Sequence, residues 1–365
     1  MGVRSRGRVA PPTREVRRDQ RKGTSLRDRQ VTARTRALYA QHLDSFFNWC
    51  ERLGHQIPAS CLGFDDLLQV FAEDLWQAGD SRRTLAYTLS ALSFRIPSLC
   101  KKMNGAWRLH KVWERSEPVV RAPPLTLVMV RAIAGQFIAC SEPTAALSIL
   151  LAYHCLLRTG ECLGLVVGDI RPTAGTVHLM LRDTKVGQRL SITELVTVHD
   201  VFLARCCRAI SRSRRPHWQR LANMNDYRFR RLWAQSLVAL QIPLKFLPYG
   251  LRRGGATAWF NSCGSFDVVS DRGRWRNVTT TRVYVQNAMM DLSHDFDDHP
   301  ALLRSGLLLH SLVGQLESSS RKGCKPTGSV LGGGTISRSV LTCPERPIVL
   351  NTGRERRGAP SRRRS

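Results

Sequence analysis

Pro248-Tyr-Gly-Leu-Arg-Arg-Gly-Gly-Ala-Thr-Ala-Trp-Phe260, followed a dozen residues later by Gly273-Arg-Trp-Arg-Asn-Val-Thr-Thr-Thr-Arg-Val-Tyr284, is the stretch around which the chain is organised. Arg252 opens an apolar run (Ala256, Ala258, Trp259, Phe260) that reads as a helix packed on a core. Trp275 sits nine residues before Tyr284, across a Thr-rich turn. A cationic fork, an indole donor and a phenol can converge if the intervening helices fold back. That set suits chemistry on a phosphodiester, because a guanidinium holds two non-bridging oxygens at once and a phenol can act as nucleophile.

Working outward, two further motifs precede this stretch: Arg158 in Leu-Leu-Arg-Thr-Gly-Glu, and Lys185 in Asp-Thr-Lys-Val-Gly-Gln. With Arg252, Trp275 and Tyr284 they resemble, in order and spacing, the signature of the tyrosine recombinases, the phage-integrase family. The resemblance covers roughly residues 30 to 295. One position departs from it: Tyr249 stands where the family usually has His or Lys.

The resemblance implies site-specific cutting and rejoining of double-stranded DNA through a 3′-phosphotyrosyl intermediate, with neither metal nor other cofactor. Tyr284 is the implied nucleophile. Arg158, Arg252 and the Trp275 indole are the implied donors to the non-bridging oxygens. Lys185 is the implied general acid, and Tyr249 an altered donor. It further implies a homo-oligomer on DNA, of the tetrameric synapse type. Two alternatives stay open: a DNA-binding protein of recombinase descent that no longer cuts, and a type IB topoisomerase.

Composition agrees with a nucleic-acid partner. The 365 residues include 56 Lys and Arg against 28 Asp and Glu, a net charge of +28. Such an excess attracts a polyanion by steering and counterion release. Residues 1–36 hold 12 basic and 3 acidic side chains, and residues 321–365 hold 11 and 2, so two basic arms flank a milder centre. The 11 cysteines are odd in number and scattered, without a C-x-x-C pair, which points to a reducing, intracellular compartment and not to a disulfide framework or a zinc site. The compartment is the nucleus if the host is eukaryotic. The longest apolar run, residues 145–157, is too short to span a membrane and contains His154.

The expected fold is mainly α with a small β-hairpin or sheet: an all-α core-binding domain, then a recombinase catalytic domain. Residues 1–30 read as a disordered basic arm. Residues 31–115 read as the all-α DNA clamp, with helices from Thr32, over Phe64–Trp76 and from Ser81 to Ile96, and with Trp107 and Trp113 as anchors. Residues 116–126, rich in Pro, read as an extended linker.

Residues 127–317 read as the catalytic domain. Pro143 opens an apolar helix that Arg158-Thr-Gly-Glu161 ends, with Glu161 placed to orient a neighbouring Arg. Strands at 176–181 and 189–193 flank a turn that holds Lys185, and basic helices follow at 198–215 and 227–240. The run His294-Asp-Phe-Asp-Asp-His299 reads as a solvated turn and not a metal site, residues 301–316 as an apolar helix, and 318–365 as a disordered basic tail.

Overall fold

Residues 13–23, 25–26, 30–118, 121–182 and 193–321 are described by a computed structural model. The chain divides into two units, Met1–Val120 and Arg121–Ser365.

The first unit is helical. Helix α1 (Arg14–Arg21) is short and basic, and its N-terminus is capped by the Thr13 hydroxyl. It stands where the sequence predicts only disorder. Three longer helices follow at the predicted places: α2 (Ala33–Arg52), α3 (Cys61–Gln77) and α4 (Arg82–Arg95). Thr32, Ser60 and Ser81 cap them by accepting orphan backbone N–H groups. Phe46, Leu68, Phe71, Leu85, Leu89 and Leu92 form their shared core. On α2 the buried aromatic besides Phe46 is Trp49, while the neighbouring Phe47 is 39% exposed. Trp49 packs against Phe46 and Phe71, and its indole N–H is satisfied by the Asp74 carboxylate at 2.8 Å.

A fourth core helix, α5 (Asn104–Ser116), buries Trp113. No side chain of its own caps it. The buried carboxylate of Asp65 on α3 does so, accepting the Gly105 and Ala106 N–H groups at 2.8 and 3.0 Å.

In the second unit α6 (Leu127–Ala139) and α7 (Pro143–His154) are buried almost all round. They form the centre of one apolar core with α9 (Val201–Ser211) and α10 (Asp226–Ala239). Pro143 occupies the first turn of α7, as expected. The chain then turns through Leu156, a non-glycine residue at φ +50°. A new short helix, α8 (Thr159–Gly164), begins directly after Arg158. The Arg158-Thr-Gly-Glu161 motif, expected to end the preceding helix, therefore starts a new one.

The sheet has three antiparallel strands, β1 (Ile170–Pro172), β2 (Val177–Leu181) and β3 (Glu194–Val198), in the order β1-β2-β3. Val177, Leu179 and Leu181 alternate inward, opposite Val198, Val196 and Glu194. The strand predicted at 189–193 falls almost wholly outside the described residues, and the strand present starts at Glu194. Lys185 likewise lies outside them. The predicted helix at 198–215 begins only at Val201, because Val198 completes β3.

The deciding stretch folds as three helices: α11 (Gly250–Cys263), α12 (Phe266–Gly273) and α13 (Val278–Tyr284). Helices α14 (Asn287–His294), α15 (Pro300–Leu307) and α16 (Leu312–Arg321) complete the unit. The single helix expected over 301–316 is divided by a 3₁₀ turn at Leu308–Ser311.

Helix α11 lies hard against the segment predicted as a linker. Leu125 is fully buried and its N–H donates to the Gly250 carbonyl at 3.2 Å, so the end of that segment is packed and not a free spacer. A Cβ on Gly254 would stand 2.0 Å from the Leu125 carbonyl oxygen, which only glycine tolerates. Gly254→Ala is expected to destabilise the second unit by about 1–3 kcal/mol, the usual cost of forcing atoms into a packed interior. Thermal unfolding of the full chain measures this, and an unchanged midpoint would contradict the packing.

Candidate active site

Tyr284 ends α13, and three contacts fix that helix against its neighbours. Arg253 donates to the Val283 carbonyl at 3.2 Å, and the Gln286 N–H donates to the Thr257 hydroxyl at 3.1 Å. The Ser270 and Thr281 hydroxyls share a buried 2.5 Å hydrogen bond between α12 and α13. Beneath Tyr284 lies a small apolar cluster of Leu156, Ala256, Val269 and Trp275.

Four of the predicted residues come together here. The Tyr284 ring packs on the Trp275 ring with centroids 4.4 Å apart. The Arg252 guanidinium lies 4.7 Å from the Trp275 ring and 5.6 Å from that of Tyr284. The Tyr249 and Tyr284 hydroxyls are in direct hydrogen-bond contact, and either can be the donor. Tyr249 is the residue before the first turn of α11 and is 41% exposed. The departure from the family pattern thus touches the candidate nucleophile itself.

Arg252 is fully buried. One terminal nitrogen donates to the Leu156 carbonyl and the other to the Gly273 carbonyl, each at 2.5 Å. These bonds fix the plane of the guanidinium, one of them to the carbonyl of Leu156, the residue at positive φ. The Arg252 Nε–H and the Trp275 indole N–H are buried and have no partner among the described residues. Burial, reinforced by Arg158 and Arg274, pushes the Arg252 pKa down to about 10.

Arg158, 27% exposed, is the more accessible cation. Its backbone N–H donates to Glu161 at 2.9 Å, and its guanidinium donates to the same carboxylate. Glu161 also receives Arg274 at 2.6 Å and stands 3.8 Å from Arg252. One buried carboxylate therefore faces three guanidinium groups. Burial works to raise the Glu161 pKa, but the Arg274 charge and the Arg158 hydrogen bonds and charge outweigh it and hold the carboxyl below its ordinary value.

Glu161 orients an arginine, as its place in the Arg158 motif suggests, but the closer partner besides Arg158 is Arg274, which no sequence motif marks. Arg274 also approaches Glu194 at 3.3 Å, where β3 begins. At the end of β2, Arg182 donates to Asp169 at 2.5 Å. Both stems of the segment carrying Lys185 are thus ionically tied. The only signal for Arg274 was its place beside Trp275. In the acidic run, His294 pairs with Asp297 at 2.7 Å, and Asp297 also accepts from Thr126.

The Tyr249 phenol is pushed up to about 12, first by burial and then by its hydrogen bond and proximity to Tyr284, against the pull of Arg252 and Arg158. At neutral pH it is a neutral donor and a poor proton acceptor. The assembly can therefore stabilise a phosphoryl anion beside a tyrosine oxygen, but it offers that oxygen no base at position 249.

Residues 130–290 match the family model described as the phage integrase family. Comparison with curated proteins gives no match. Among solved structures, the chain is similar to the Tn1549 transposon integrase in complex with transposon right end DNA, at TM-score 0.50 and 14% identity over 77% of this chain and 96% of that one. It is also similar to the XerH site-specific recombinase bound to palindromic difH substrate, at TM-score 0.46 and 12% identity over 73% and 80%. At 14% identity the likeness to the Tn1549 transposon integrase is one of fold.

Proposed function

We propose that this chain, whose residues 130–290 form a phage integrase domain, breaks and rejoins duplex DNA at specific sites through a covalent tyrosyl intermediate. The observation that carries the reading is the convergence of Tyr249, Arg252, Trp275 and Tyr284 beside the Arg158–Glu161–Arg274 cluster.

In the step envisaged, the Tyr284 oxygen attacks a backbone phosphorus and the bond to the 5′-oxygen breaks. A 3′-phosphotyrosyl ester and a free 5′-hydroxyl result. Negative charge grows on the non-bridging oxygens, where Arg158, the partner-free donors of Arg252 and Trp275, and the surrounding cationic field oppose it. One preorganised donor of this type is worth roughly 3–4 kcal/mol. Lys185 protonates the departing 5′-oxygen. The new ester keeps the energy of the old one, so the reverse attack by a 5′-hydroxyl reseals the strand.

Exchange between two duplexes requires four strand cuts, so four copies act together on DNA. The helical first unit, with its basic surface, holds the duplex. Such work belongs where DNA is, inside the cell and in the nucleus of a eukaryotic host.

Tyr249 sets the pH profile. It stays protonated until far above neutrality, so removal of the Tyr284 proton falls to solvent, and the rate of covalent capture is expected to climb with pH across the neutral range without levelling. Tyr249→His places a group of pKa near 6.5 there. Capture should be faster by about 10²-fold at neutral pH, levelling once the imidazole is neutral. Tyr249→Phe removes the donor and should be slower than wild type. Single-turnover adduct formation with a pool of nicked suicide duplexes tests both the profile and the function. Identical profiles for all three proteins would remove position 249 from the reaction, and no adduct with any duplex would favour a non-cutting DNA binder.

A further inference from the structure

The loop between α9 and α10 carries a feature that the strand-transfer reading does not use. Trp218 is 79% exposed, an unusual state for the largest apolar side chain. Its backbone is nevertheless held. The Val167 N–H donates to the Gln219 carbonyl at 2.9 Å, and Gly168 to the His217 carbonyl at 2.8 Å. Leu221 donates to the Leu165 carbonyl at 2.8 Å, and Val166 bridges Arg220 in antiparallel fashion. A Cβ on Gly168 would stand 2.9 Å from the His217 carbonyl oxygen, so the close approach depends on that glycine.

The segment that grips it, residues 165–168, follows directly on α8, the helix headed by Arg158. Trp218 and Glu161 line the same cavity of about 250 Å³, together with Gly160, Leu165 and Met180. In the loop that carries the indole and at its entry, Arg212, Arg214 and Arg220 are exposed, and no ion pair joins them to a carboxylate among the described residues. An exposed aromatic face on a backbone held in place, in a loop rich in exposed arginines, fits one kind of ligand: a nucleobase stacked on the ring while its flanking phosphates meet the arginines. A paired base inside a duplex hides both faces, so the ligand must be unpaired. A protein partner would want an apolar surround, which three free cations deny it.

We infer that Trp218 is a stacking platform for an unpaired base of DNA, seated one cavity away from the Arg158–Glu161 pair. The inference rests on the reading that this chain acts on DNA. Its use there follows from the chemistry: a cut strand ends in a 5′-hydroxyl that the protein does not hold covalently. A base captured beside the site keeps that end near the phosphotyrosyl ester.

The test uses the full chain carrying Tyr284→Phe, so that binding is read without covalent capture. Fluorescence anisotropy compares a labelled oligo-dT of about 12 nucleotides with a duplex of equal length at the same salt. Trp218→Ala is expected to weaken oligo-dT binding about tenfold, the worth of one stacked base, while duplex affinity changes by less than about twofold. Trp218→Phe should retain most of the affinity. Quenching of tryptophan fluorescence by oligo-dT should be reduced in Trp218→Phe. Equal losses on both DNAs, or no loss on either, would overturn the assignment. Because only binding is read, absence of strand cleavage leaves this result intact, and normal cleavage without a Trp218 effect sinks the stacking platform alone.

Discussion

Tyr284→Phe is expected to bind DNA as well as the wild type and to form no covalent adduct. The substitution removes one oxygen and keeps the ring, so the 4.4 Å packing on Trp275 and the proximity to Arg252 persist. Only the hydroxyl contact with Tyr249 is lost, a change of about 1 kcal/mol in stability. The effect on chemistry is total, because no phenylalanine atom can attack phosphorus. Denaturing gels of protein incubated with nicked duplexes separate the outcomes. A persistent SDS-resistant adduct in Tyr284→Phe would move the nucleophile elsewhere, with Tyr249 the first alternative since its oxygen adjoins the same position.

Glu161→Gln is expected to produce the largest loss of stability of any single conservative change at the site. The carboxylate is 5% exposed and compensates Arg158 and Arg274 directly and Arg252 at longer range. Neutralising it leaves three cations facing one another in a poorly solvated space. Removing one partner from such a buried arrangement typically costs about 3–5 kcal/mol. For a unit of this size that corresponds to a fall in Tm of roughly 10 °C.

The pH dependence has a defined sign. The folded-state pKa of Glu161 lies below its ordinary value, so its contribution is fully present above the ordinary carboxylate pKa. It is lost as pH falls through the depressed value. The gap in Tm between wild type and Glu161→Gln should therefore be constant near neutrality and shrink in acid. A gap that stayed constant into the acid range would assign the loss to packing and not to charge.

Much of this architecture is written in local sequence. Thr32, Ser60 and Ser81 announce helix starts, and Pro143 announces another, because capping is decided within three residues. The site motifs were legible in the same way, as types in order: Arg158, then the Arg252 stretch, then Trp275 and Tyr284. What escaped was set by groups far apart in the chain. Helix α5 draws its cap from Asp65, some 40 residues away, and its own first turn carries no start signal. Arg158 looked like the end of α7 because nothing in Cys155-Leu156-Leu157 marks a left-handed residue, a conformation that the Arg252–Leu156 hydrogen bond helps to hold. The burial of Arg252 and the pairing of Arg274 with Glu161 and Glu194 follow from folding three segments onto one carboxylate, which no period or spacing encodes.

In the reaction proposed, Tyr284 takes up a DNA phosphate. Its most direct test is to digest the adduct formed on nicked duplexes with protease and nuclease, and to locate the nucleotide by mass spectrometry. The expected product is a nucleotide joined through its 3′-phosphate to the peptide containing Tyr284, with a released strand that kinase labels at its 5′-hydroxyl without prior phosphatase treatment. A nucleotide on any other residue, or one joined through a 5′-phosphate, would contradict it.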